Sequence, residues 1–165
     1  MTAADYMVQL QRTAQNGLTA PVDPAALRNP SADSRFFDLT PAPFPAFPAA
    51  GAGQETILSF VVPPGQGCLI RWLAFVYIGG GFIDGSGNVI WRVLVNGAAV
   101  QGYESTQTQV GTLSIPSDTQ IIAYEGDTVE VTVEVPAAAP APPPAGTTTA
   151  CRLKGWFFPL RRGPQ

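Results

Sequence analysis

Few side chains in this 165-residue chain could carry chemistry, and the most versatile of them, histidine, is absent. Its absence removes the usual general base, the usual metal ligand and any histidine-driven nucleophile. Acid–base work would then fall to two carboxylates at a defined separation, as in glycoside hydrolysis. Glu130 and Glu134 are the pair that spacing brings to one face, four residues apart in an alternating run. That face reads as the wet side of a strand, where acids serve solubility, so no catalytic residue is expected.

The remaining motifs are weaker. Asp84-Gly85-Ser86-Gly87-Asn88 sets oxygen-bearing side chains at alternate positions, as a short calcium loop does, but lacks the bidentate Glu and further acids that give affinity. It reads as a glycine-rich turn. Gly79-Gly80-Gly81 is followed by neither Lys-Ser/Thr nor a helical pattern, so it fits a hinge or a close backbone approach rather than a phosphate cradle. Cys68 and Cys151 have no redox or zinc spacing and lie in apolar runs. They read as buried reduced thiols, with a bridge between neighbouring strands left open. Trp91 and Trp156 could stack on sugar rings, although alternation assigns both equally well to a core. Neither a cofactor nor a metal is expected.

Strands must position these residues. Ile57 to Val62 alternates and ends at Pro63-Pro64-Gly65; Cys68 to Ile78 is an apolar run broken by Arg71; Asn88 to Val95 leads to Asn96-Gly97, a strong hairpin signal, and then Ala98 to Tyr103. Further strands are expected at Thr108–Ile115 and Thr119–Tyr124. Thr128 to Val135 alternates, with its valines inward, and about Ala150 to Phe158 forms the last strand after an Ala/Pro loop, Pro136 to Gly146. Some eight strands without helical pattern between them predict an all-β, antiparallel β-sandwich, with an eight-stranded jelly roll as the leading topology and an immunoglobulin-like sandwich second.

The N-terminal part is different. Thr2 and Asp5, then Tyr6, Leu10 and Ala14 at helical spacing, predict a short helix over about residues 3–15. From Gly17 to Gly53 no periodicity survives, and prolines at 21, 24, 30, 41, 43, 45 and 48 hold the chain extended. The expected organisation is an N-terminal arm, 1–53, a sandwich, 54–160, and a C-terminal tail, 161–165. Phe36, Phe37, Leu39, Phe44 and Phe47 thread the arm, more apolar bulk than a bare linker carries. They either pack back on their own sandwich or fill pockets on adjacent subunits. The second is the expectation, which makes these five, with Tyr6 and Leu10, the partner-binding residues.

Charge narrows the partners. The net charge is −3 and no basic run is longer than Arg161-Arg162, so nucleic acid is not expected. No apolar stretch reaches the roughly eighteen residues of a membrane span. Met1 to Arg12 lacks a signal-peptide core, which points to synthesis in a cytoplasm.

Val62-Pro63-Pro64-Gly65 through Ile70-Arg71-Trp72, followed by Val89-Ile90-Trp91-Arg92-Val93-Leu94-Val95-Asn96-Gly97, resembles the small jelly-roll proteins of tailed-bacteriophage virions, of the head decoration, cement or head-fibre-base kind. The resemblance covers about residues 54 to 158. It implies a non-enzymatic virion protein assembled in the host cytoplasm, a homo-oligomer with a trimer favoured, whose N-terminal extension lies across the major capsid protein or other virion subunits. The alternative from another class is a carbohydrate- or receptor-binding module of a fibre or tail, which predicts an exposed Trp or Tyr beside polar residues.

Overall fold

The computed structural model describes residues 33–80 and 86–160. The helix expected over about 3–15, with Tyr6 and Leu10, lies outside the described residues, as do Asp84 and the tail 161–165. Among the described residues the regular structure is all β: β1 Arg35–Leu39, β2 Gln54–Val61, β3 Gln66–Ile78, β4 Ile90–Val95, β5 Ala98–Ala99, β6 Ser117–Ala123, β7 Thr128–Glu134 and β8 Thr148–Pro159.

These form two four-stranded antiparallel sheets, the first in the order β1-β8-β3-β6 and the second in the order β2-β7-β4-β5. Each strand of the first half of the chain thus pairs with its complement from the second half: β1 with β8, β2 with β7, β3 with β6 and β4 with β5. One core lies between the sheets, filled from the first by Ile70, Leu73, Phe75 and Leu153 and from the second by Trp91, Val93, Val129 and Val131. At its centre Trp91 is fully buried and stacks on Phe75, ring centroids 6.1 Å apart, while its Nε1 donates to Thr149 Oγ1 at 2.9 Å. The indole N–H therefore has its partner inside the core.

The Asn96-Gly97 hairpin forms as expected, with φ of 53° and 76° that suit this pair. Asn96 also fastens the neighbouring turn. Its Oδ1 accepts the Thr128 N–H at 2.8 Å and its Nδ2 donates to Asp127 at 2.6 Å, and Asp127 accepts the Tyr124 N–H at 2.7 Å.

Three expectations change. Thr108–Ile115 is not a continuous strand. Val110 pairs with Phe75, and Thr106 with Trp91, through isolated bridges that let this loop close one side of the sandwich. The strand expected from Ala98 to Tyr103 is reduced to the two residues of β5. The third change concerns the residues before Gly53. Arg35–Leu39 is the edge strand of the first sheet, with Phe37 only 7% exposed and Leu39 packed on the core. Further on, Phe47 packs against Tyr77 and Trp91 at 5.0 and 6.4 Å between centroids. Prolines flank this strand without entering it, so its hydrogen bonds to β8 are intact.

The cysteines do not meet. Cys68 stands opposite Phe157 and Cys151 opposite Phe75, six residues apart along β8, or roughly 20 Å. Both are free and buried, and burial pushes both thiols up, that of Cys151 to about 12.

Candidate functional site

A strand at the surface of a sandwich ordinarily turns one face to water, and the second sheet does so. Its outer face carries the Arg92–Glu134 ion pair at 2.7 Å and Glu130, which accepts from Thr56 Oγ1 at 3.4 Å. Glu130 and Glu134 are four residues apart on one strand, roughly 13 Å, wider than the carboxylate separations of glycosidases. Among the described residues no group of three or more Cys, Asp or Glu side chains could hold a metal ion. Asn88, from the loop weighed for calcium, is buried and accepts the Ala141 N–H at 2.8 Å.

The outer face of the first sheet is built differently. One row of cross-strand neighbours runs Phe36 on β1, Trp156 on β8, Leu69 on β3 and Ile122 on β6. It is apolar from one edge of the sheet to the other. The next row runs Asp38, Lys154, Trp72 and Asp118, and the one after it holds Arg152 and Ala74. On the other side Phe158 faces Gly67 and its ring covers that glycine.

A backbone irregularity makes this arrangement possible. β3 has a bulge between Ile70 and Trp72, with Arg71 as the extra residue, so Leu69 and Trp72 share the outer face although three positions separate them. Trp72 therefore comes beside Trp156, centroids 5.2 Å apart and planes at 53°. Phe36 meets the same Trp156 edge-on at 5.8 Å. Lys154 lies over both flanking rings, its Nζ 5.8 Å from the centroids of Phe36 and of Trp72. Beneath the aromatic rings Leu69 is only 3% exposed, although it does not belong to the core between the sheets.

Charge is fixed at the rim. Arg152 donates from Nε and Nη2 to the two carboxylate oxygens of Asp38, at 2.7 and 2.6 Å, and from Nη1 to the Leu113 carbonyl. These hydrogen bonds are the main reason that the Asp38 carboxyl is held below its ordinary value, with the charge of Lys154 a smaller cause. The arrangement sets fixed aromatic rings beside charges of both signs.

The residues expected to contact partners separate into two groups. Phe37, Leu39 and Phe47 pack within the domain, whereas Phe36 and Phe44 remain 49% and 41% exposed. Of these, only Phe36 belongs to the aromatic row. Of the two tryptophans weighed for sugar stacking, Trp91 is core and Trp156 is on the outer face. Leu69 and Lys154 were not singled out from sequence, and Trp72 was noted there only within the motif Ile70-Arg71-Trp72, not as a surface residue. The signal was present in β8, where Trp156 and Phe158 on one face alternate with Leu153 and Phe157 on the other, so that neither side of the strand end is polar.

In comparisons with known proteins, no family model, no curated protein and no solved structure matches this chain.

Proposed function

We propose that the chain is a non-enzymatic structural protein of a virus particle, a capsid decoration or cement protein of the tailed-bacteriophage kind. In this reading the sandwich is a jelly roll, residues N-terminal to it hold the major capsid protein and neighbouring subunits, and the protein joins the particle in the host cytoplasm. The topology supports the first part. Pairing every strand with its complement is what results when one long hairpin wraps around a common core, the winding of an eight-stranded jelly roll.

Topology alone does not assign a function. The observation that carries the proposal is the placement of the aromatic row: it begins at β1, the strand into which the first 32 residues lead, with Phe36 half-exposed at its end. The aromatic row and the point at which the chain enters β1 thus share one edge of the first sheet. Contacts of modest strength there, repeated over many copies in a shell, add to a large stabilisation.

The test compares particles assembled with the full-length chain and with a chain lacking residues 1–32. Retention of the full-length chain and loss of the shortened one in gradient-purified particles is expected. Equal retention contradicts the proposal.

A second reading, a carbohydrate- or receptor-binding module, is favoured by Trp72 and Trp156 lying side by side next to Lys154, Asp38 and Arg152. A glycan array read with the labelled protein tests it; saturable binding abolished by Trp156→Ala supports it, and no binding removes it.

A further inference from the structure

We infer that the outer face of the first sheet is a contact between copies of this chain. The inference takes its setting from the proposed assembly role but rests on the face itself, and its test needs no particle.

Three observations commit the face to a second copy. The first is extent. The apolar row Phe36–Trp156–Leu69–Ile122 crosses all four strands, with Phe158 on one side and Trp72 on the other. Four strands and about three residue pairs along them make a face on the order of 20 Å by 20 Å. Two such faces in contact bury on the order of 1,000 Å2, the size at which specific association begins. Phe36 is half-exposed there, and Trp156, Trp72, Ile122 and Phe158 are partly exposed around a Leu69 that the rings already cover.

The second is charge. The row beside the aromatic one holds Asp38, Lys154 and Asp118, with Arg71 at the bulge and Arg152 on Asp38. Both signs occur along one edge, so a copy can set its cations against the other's carboxylates, while a partner of a single strong sign meets repulsion as well as attraction. The outer face of the second sheet, with its Arg92–Glu134 pair, has no comparable apolar row.

The third argues against a sugar as the occupant. A saccharide stacks on an open, flat ring, but the planes of Trp72 and Trp156 differ by 53°, those of Phe36 and Trp156 by 67°, and the Lys154 ammonium already lies over Phe36 and Trp72. An uneven surface of fixed aromatic rings suits interdigitating side chains, with the aromatic anchors central and the charges at the rim.

The experiment measures the light-scattering mass of the full-length protein from low micromolar to several hundred micromolar. The expected result is a dimer or higher species whose dissociation constant rises at least tenfold in Phe36→Asp and does not change in Val61→Asp, a control at a position 59% exposed on β2 of the second sheet. Because Phe36→Asp could also loosen β1, oxidative footprinting of the unaltered protein supplies the second readout. Trp72 and Trp156 are expected to become protected as concentration rises, while Trp91 stays protected throughout. A monomer at every concentration overturns the inference, as it would if residues 1–32 or a glycan covered the face instead. So does an oligomer whose Trp72 and Trp156 stay as reactive as in the dilute protein.

Discussion

The Leu69 carbonyl oxygen occupies the space that a β-carbon on Gly155 would need. Gly155 stands opposite Ile70, where the bulge of β3 pushes its backbone toward β8, and that bulge turns Trp72 outward beside Trp156. Gly155→Ala is therefore expected to cost about 2–3 kcal/mol, because strand backbone rather than a yielding side chain must move. Chemical denaturation measures it. The near-ultraviolet signal of the tryptophans should change as well, since the bulge and the aromatic row depend on each other.

Two truncations separate the N-terminal segment from the domain. Removing residues 1–32 should leave the unfolding midpoint nearly unchanged. Removing residues 1–53 takes away β1, Phe37, Leu39 and Phe47, and should lower stability by several kcal/mol. The same contrast holds for single substitutions. Phe37→Ser is expected to cost about 3 kcal/mol, whereas Phe44→Ser should cost less than about 1.

The Asp38–Arg152 pair makes a small, pH-dependent contribution. The folded-state value of Asp38 lies below its ordinary 3.8, so the stabilisation is complete above that value and is lost as the pH falls through the folded-state value. Both side chains are about a quarter to a third exposed, at 26% and 32%, so solvent screening limits the effect of Asp38→Asn to about 1 kcal/mol. Melting curves of the two proteins should differ at neutral pH and converge below pH 3.8.

Cys68 and Cys151 should both be free and unreactive. A thiol reagent at pH 8 is expected to label neither in the native protein and both after denaturation, because burial keeps the thiolate from forming. A native protein that gives no free thiol even when unfolded would contradict the strand register, which holds the two side chains apart.

The fold was legible where pattern and burial agree. Alternation in Thr128 to Val135, the Pro63-Pro64-Gly65 stop and the Asn96-Gly97 turn each specify local structure that the core then accepts. β1 was not legible, because its five residues sit among prolines and its partner, β8, lies more than a hundred residues away. The pairing that makes Phe37 core and Phe36 surface exists only after that long-range contact forms. The aromatic face was partly legible. Trp156 could be weighed as a surface residue, but Trp72 reaches the same face through a bulge at Arg71, and one charged residue breaking an apolar run does not say that the side-chain period shifts there.

Membership in a virus particle, as proposed, is tested by quantitative mass spectrometry of density-purified particles from cells in which the chain is expressed together with the rest of the particle's proteins. The chain is expected to band with the major capsid protein in a fixed, repeating ratio. Its presence only in the soluble fraction, or in particles at trace and variable levels, would rule that membership out.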